Sequence, residues 1–314
     1  MTCILQNGPL LPRLEQVLAR DFELLQLHKQ TDREAFLAEH GHRVEGLATS
    51  ARFGADRALI DKLPALRVIS SFGVGYDTID VACARERGIP VGYTPDVLND
   101  CVADTAFGLV IDVARRFSAA DRYTRQGQWL KAPFPLSTKV SGKRLGILGL
   151  GRIGRVLARR ASGFDMEIRY HNRREVADVP YAYEPTLKGL AEWADFLVVI
   201  SAGGASTRHL VNQEILDAIG PQGLLVNVAR GSVIDEAALV KALQERRIGG
   251  AGLDVYEDEP RVPPALFDLD NVVLLPHMAS ATNETRQAMA DLVVRNLSTF
   301  FETGTVPVAV PADA

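Results

Sequence analysis

The 314-residue chain has only three cysteines, Cys3, Cys83 and Cys101, far apart and without the paired spacing of a zinc site or a disulfide framework. That scarcity fits a reducing compartment, and a cytoplasmic protein is expected. No apolar run approaches the roughly 20 residues needed to cross a bilayer. The opening MTCILQNGPL lacks the charged start and long apolar core of an export signal. Charge of one sign is also scarce, the formal net charge being −4. Without a broad basic face, nothing offsets phosphate repulsion along a nucleic acid, and no polybasic stretch holds a membrane. The expected partner is therefore a small molecule. His40 and His42 sit in the polar stretch EHGHR with no companion ligands, so no metal site is expected. What the chain does have is ordinary globular composition, 47% hydrophobic and 24% charged, with room for two cores.

The first third alternates short apolar runs with polar helical stretches: CIL at 3–5, FELL at 22–25, VEGLAT at 44–49, LRVISS at 66–71 and IPVGY at 89–93. This alternation predicts βα units around a parallel sheet. A helix is predicted from Leu98 to Phe117, linking two domains. A second series follows at 144–150, 166–170, 195–200, 223–229, 250–256 and 271–276. Its runs are continuously apolar, as in strands covered on both faces, so a doubly wound sheet is expected. The segment from about Asn283 to Phe301 reads as a helix that returns to the first domain. The fold class expected is α/β in two domains: a Rossmann dinucleotide-binding domain over 99–283, and a smaller flavodoxin-like substrate domain from 1–98 and 284–314.

Between RLGILGL and the next helix lies Gly149-Leu150-Gly151-Arg152-Ile153-Gly154, a G-x-G-x-x-G in strand-turn-helix context. Gly149 permits the tight turn, Gly151 lets backbone approach a pyrophosphate, and Gly154 lets the helix pack on the strand. The helix start supplies N–H groups and partial positive charge. At the end of the next strand, NAD-specific proteins place an acidic residue on the adenosine ribose. Here the chain reads Tyr170-His171-Asn172-Arg173-Arg174. No carboxylate is there to repel a 2′-phosphate, and Arg173 or Arg174 could clamp one with charge-assisted bonds. NADP(H) is therefore the preferred cofactor, with NAD(H) as the alternative.

Three later segments bring ionisable residues to the carboxyl ends of predicted strands: Asn227-Val228-Ala229-Arg230-Gly231, Asp254-Val255-Tyr256-Glu257-Asp258-Glu259-Pro260, and Leu275-Pro276-His277-Met278-Ala279-Ser280. With GLGRIG and SFGVGYDTID at 71–80, they resemble the D-2-hydroxyacid dehydrogenase family along nearly the whole chain. Within it, the paired arginines and GGASTRHLVN at 203–212 are most similar to glyoxylate/hydroxypyruvate reductases. Reducing a 2-oxo acid needs a hydride, a proton for the developing alkoxide and a counter-charge for the carboxylate. His277 can be the general acid. Glu259 would hydrogen-bond its other ring nitrogen and favour the charged ring. Arg230 would pair with the substrate carboxylate and polarise the carbonyl. Val74, Gly75 and Tyr76 would cradle the carboxylate's other side through backbone N–H groups. The resemblance further implies that Asp254 receives the nicotinamide carboxamide, and it places Ala229 beside the cofactor.

The expected activity is reduction of glyoxylate and hydroxypyruvate to D-2-hydroxy acids in a cleft that closes to exclude water. The resemblance implies a homodimer formed through the dinucleotide domain. Trp129, in QGQWLKAPFP, reads first as a core or interface tryptophan, and the resemblance also allows it to reach a neighbouring active site. Cys101 and Ser232 lack any nucleophile–base arrangement and read as structural. The alternatives are a different oxo-acid specificity, or a dinucleotide-sensing, corepressor-like interaction protein, against which the short termini argue.

Overall fold

A computed structural model describes residues 1–311, in two compact units, Met1–Leu98 with Thr282–Ala314 and Asn99–Ala281. Residues 312–314, which the expected substrate domain included, lie outside the described residues. The second boundary comes two residues before the expected position because Thr282 is the N-cap of the helix Asn283–Thr303, its side chain accepting from the Thr285 N–H at 3.2 Å.

The first unit contains a five-stranded sheet of β1 (Cys3–Gln6), β2 (Glu23–Gln26), β3 (Gly46–Ser50), β4 (Val68–Phe72) and β5 (Val91–Gly92). All pairs are parallel in the order β2-β1-β3-β4-β5, the flavodoxin-like order. Three short helices here, Arg33–His40, Arg57–Asp61 and Val81–Glu86, start at aspartates whose side chains accept a first-turn N–H, those of Asp32, Asp56 and Asp80. The helix Asn283–Thr303 returns to this sheet as expected. Its Val293 carbonyl accepts from Ser70 Oγ at 3.3 Å, and Asn296 Nδ2 donates to the Tyr93 carbonyl at 3.3 Å.

In the second unit seven strands form another wholly parallel sheet: β6 (Arg144–Leu148), β7 (Glu167–His171), β8 (Ala182–Tyr183), β9 (Phe196–Val199), β10 (Leu224–Asn227), β11 (Gly250–Leu253) and β12 (Val272–Leu274). Their order is β12-β11-β10-β9-β6-β7-β8, so the winding reverses between β6 and β9. A doubly wound sheet binds its ligand outside the carboxyl ends of the strands at such a switch point. The edge strand β8 is not anticipated from sequence, because its two residues are exposed and half-buried and no apolar run marks them, whereas the equally short β5 is buried. Every residue of β9, β10 and β11 is buried, the signature of a sheet covered on both faces. Each fully buried leucine, isoleucine or valine contributes about 1.5–3 kcal/mol.

One covering helix runs from Asn99 to Arg115 and buries Val102, Ala103, Ala106, Phe107, Leu109, Val110 and Val113. It lies close to the sheet because β11 has glycines beneath it. A Cβ on Gly252 would come within 3.1 Å of the Leu109 Cβ, and one on Gly250 within 3.2 Å of Val113 Cγ2. Among the described residues, no helix is long and apolar enough to cross a membrane, and no cluster of histidine, cysteine or carboxylate residues could hold a metal ion.

Candidate active site

Beyond β6 the chain makes the turn Gly149–Gly154 and enters the helix Arg152–Ser162. Gly149 has φ +108°, and a Cβ there would lie 2.7 Å from the Ser201 backbone. A Cβ on Gly154 would sit 2.3 Å from the Gly149 carbonyl oxygen, so this glycine lets helix and turn touch. At Gly151 an added Cβ would meet nothing within 4 Å. The protein leaves that space unused beside a helix start that has no side-chain cap. By contrast, Thr186, Asn212 and Asp235 each cap a helix of the same unit. A helix start without a side-chain cap, beside open backbone, fits a dinucleotide pyrophosphate. Arg152 is exposed and Ile153 half-buried at this start.

At the end of β7, the Tyr170 hydroxyl closes a loop by accepting from the Val176 N–H at 2.9 Å and reaching the Val176 carbonyl at 3.2 Å. The loop presents Arg173 and Arg174, both exposed and neither with a carboxylate partner among the described residues. Asn172 does something the sequence did not reveal. Its Oδ1 accepts from the Leu150 N–H at 2.7 Å, tying the end of β7 to the glycine turn.

Beyond β10, β11 and β12 lie the ionisable candidates. Asn227, 1% exposed, accepts from the Ala229 N–H and donates to the Arg230 carbonyl, both at 3.0 Å. Arg230 is half-buried, and its Nη1 donates to the Ala229 carbonyl at 2.8 Å. The next residue must be glycine, since a Cβ on Gly231 would lie 1.9 Å from the Tyr256 carbonyl carbon. This contact presses the Arg230 loop onto the one carrying Glu259.

Glu259 Oε1 accepts from the Tyr256 N–H at 3.1 Å, and its Oε2 lies 2.6 Å from His277 Nδ1. Burial alone would raise the Glu259 pKa, but the His277 hydrogen bond and charge, the Tyr256 N–H and the Arg230 charge together hold it below the ordinary carboxylate value. The His277 side chain is 45% exposed against 25% for Glu259, so the ring is anchored on one edge and open on the other. Its Nε2 has no hydrogen bond among the described residues. His277 also has φ +51°, a left-handed conformation costing a non-glycine residue about 1–2 kcal/mol. Asp254 holds the peptides that follow. It is 1% exposed, and its two oxygens accept from the Met278 N–H at 2.7 Å and the Ala279 N–H at 3.0 Å. Burial raises its pKa against the pull of those two donors. Its two oxygens thereby fix the backbone beyond His277.

A second histidine–glutamate pair, His209 Nε2 to Glu257 Oε1 at 3.0 Å, was not legible in the sequence. Here Arg208 Nη2 shares the same oxygen at 2.6 Å. Ser232 is drawn into that loop through its carbonyl, which accepts from the His209 N–H at 2.8 Å.

In the first unit, Val74, Gly75 and Tyr76 follow β4 and are half-buried. Their backbone N–H groups donate to no acceptor among the described residues, while neighbouring Gly73 exchanges bonds with Thr94 at 3.0 and 2.9 Å. Three unengaged donors in succession can take an anion.

Comparisons with known proteins accord with this geometry. Residues 107–279 match the family described as D-isomer specific 2-hydroxyacid dehydrogenase, NAD binding domain. The chain is 47% identical over 298 residues, 95% of each chain, to a glyoxylate/hydroxypyruvate reductase A of Arabidopsis thaliana. It is also 47% identical, again over 95% of each chain, to the hydroxyphenylpyruvate reductase of Plectranthus scutellarioides. Among solved structures, the NADPH-dependent glyoxylate/hydroxypyruvate reductase of Sinorhizobium meliloti, in complex with NADP and malonate, superposes with a TM-score of 0.93 at 46% identity, covering 98% of this chain and 96% of that one. A Rossmann sheet with an open glycine turn, a histidine–carboxylate pair beyond its strands and relatives alike over almost their full lengths lead to one assignment: the chain belongs to the D-isomer-specific 2-hydroxyacid dehydrogenase family.

Proposed function

We propose that the protein is an NADP(H)-preferring reductase of small 2-oxo acids, glyoxylate and hydroxypyruvate, acting through His277, Glu259 and Arg230. The observation that carries this reading is the 2.6 Å His277–Glu259 contact, which leaves Nε2 of an exposed ring without a partner among the described residues. When bound, the dinucleotide supplies the hydride. His277 gives a proton from Nε2 to the carbonyl oxygen as it becomes an alkoxide, and Glu259 stabilises the charged ring before transfer. Arg230 offers its guanidinium to the substrate carboxylate and to the polarised oxygen. The unengaged N–H groups of Val74, Gly75 and Tyr76 are donors suited to a carboxylate. The products are glycolate from glyoxylate, or D-glycerate from hydroxypyruvate, with the oxidised dinucleotide, one proton being consumed.

Two exposed arginines without carboxylate partners support NADPH over NADH, since each can bond a 2′-phosphate. The named activity of the Sinorhizobium relative agrees. Substrate choice is the finer question, because relatives of equal identity are named for glyoxylate/hydroxypyruvate and for an aromatic oxo acid. Initial rates with glyoxylate, hydroxypyruvate, pyruvate and 4-hydroxyphenylpyruvate, each with NADPH and NADH, test the reading. The small acids with NADPH should give the highest kcat/KM. A preference for the aromatic acid would overturn the substrate assignment, and dinucleotide binding without turnover would favour the sensing alternative.

A homodimer and a cytoplasmic location belong to the same proposal. The helix Phe117–Arg125 buries no residue, and beyond it Trp129, Leu130 and Leu136 are 69%, 93% and 100% exposed. Such exposure removes the reading of Trp129 as a core residue and supports an apolar face covered by a second copy.

A further inference from the structure

We propose that Cys101 and Thr105 are positioning residues, which hold His277 in its working place by gripping the carbonyl of Ala279. The inference rests on the reading of His277 as the proton donor. Left-handed backbone at His277, φ +51°, is disfavoured for any residue with a Cβ, so holding the peptides that follow helps keep it there. Asp254 holds their N–H side, at Met278 and Ala279. The carbonyl side is held from another element. Cys101 Sγ donates to the Ala279 oxygen at 3.0 Å, and Thr105 Oγ1 lies 3.4 Å from the same oxygen.

These two side chains belong to the first turns of the helix Asn99–Arg115, which is anchored to β11 by the close contacts over Gly250 and Gly252. The grip therefore transmits the position of a rigid element to a loop. Thr105 has one hydroxyl proton and two acceptors, the Cys101 carbonyl at 3.1 Å and Ala279 at 3.4 Å, so the thiol is the main donor and the hydroxyl the reserve. Ala279 is 4% exposed, and a buried carbonyl deprived of both donors has every reason to turn toward water. That turn rotates the His277–Met278 backbone and draws the ring off Glu259. The charged groups concerned are Glu259 and Asp254, with Arg230 acting through Glu259. The cysteine thus has a function that needs neither nucleophilicity nor oxidation.

The test is the initial rate of glyoxylate reduction by NADPH across a pH series, with active sites counted by dinucleotide binding, for four variants. Cys101→Ala/Thr105→Val removes both donors. Its kcat should fall about tenfold, with KM for glyoxylate changed less than about twofold and the alkaline limb of the rate moved to lower pH. Cys101→Ser/Thr105→Val keeps one hydroxyl donor and should restore both rate and limb. Cys101→Ala alone, in which Thr105 can turn its proton to Ala279, should lose about threefold and serves if the double variant does not fold. A double variant with the wild-type rate and profile overturns the proposal. So does a loss that leaves the limb unmoved or that serine does not repair. His277→Ala run alongside separates the two failures. If it keeps its rate, the reading of His277 as the donor is wrong; if it loses its rate while the double variant is normal, only the grip is wrong.

Discussion

Glu259 carries two loads at once, accepting from the Tyr256 backbone and from His277. In Glu259→Gln the amide oxygen must keep facing the Tyr256 N–H, so the amino group faces His277 Nδ1 as a donor where an acceptor stood. Glyoxylate reduction should fall about 100-fold, with the alkaline limb of the pH–rate profile moved to lower pH; an unmoved limb would show that Glu259 does not govern the ring. Stability follows with a definite sign. Because the Glu259 pKa is lowered on folding, its contribution is full above the unfolded carboxylate value and is lost as pH falls through the lower folded one. Denaturation of the two proteins should therefore differ near neutral pH and converge in acid. The arginine pair gives a second prediction. Arg173→Ala/Arg174→Ala should raise KM for NADPH at least tenfold and leave KM for NADH within about twofold, and equal effects on both would remove the phosphate assignment. Both sets of candidates could be picked out from sequence because chemistry restricts which residue types can serve. The roles of Asn172 and Asp254 were less legible: both point inward to backbone N–H groups, and sequence records a side chain without its direction.

Elements were more legible than single side chains. The runs of buried strands announced themselves by continuous apolarity, and the long helices by spacing, whereas β8 is exposed and half-buried and has no apolar run to show. The glycine turn is the element proposed to hold the dinucleotide, and its glycines separate by what a Cβ would meet. Gly151→Ala should leave the melting temperature within about 1 °C, since the protein offers nothing within 4 Å to clash with, yet weaken NADPH binding at least tenfold. Gly154→Ala drives a methyl into the Gly149 carbonyl at 2.3 Å and should lower stability and binding together, by about 1–3 kcal/mol in stability. Calorimetry with binding titration of both variants checks the pair. If Gly151→Ala binds NADPH as the wild type does, the open space beside the helix is not the phosphate site.

At the scale of the whole molecule, motif order carried the class and the cofactor chemistry, but the exposure of Trp129, Leu130 and Leu136 was invisible, since exposure depends on what the fold leaves uncovered. If that face joins two copies, sedimentation should give a dimer, and Leu136→Glu with Trp129→Ala should shift it to monomer; a wild-type monomer would contradict the assignment. The central claim is that His277 protonates the oxo acid in an otherwise complete reductase. The most direct test measures NADPH oxidation by glyoxylate in wild type and His277→Ala, with NADPH affinity determined on the same samples. The variant should lose about 10²–10⁴-fold in rate while binding NADPH as tightly as before. A rate within a few-fold of wild type, at unchanged affinity, would contradict the account.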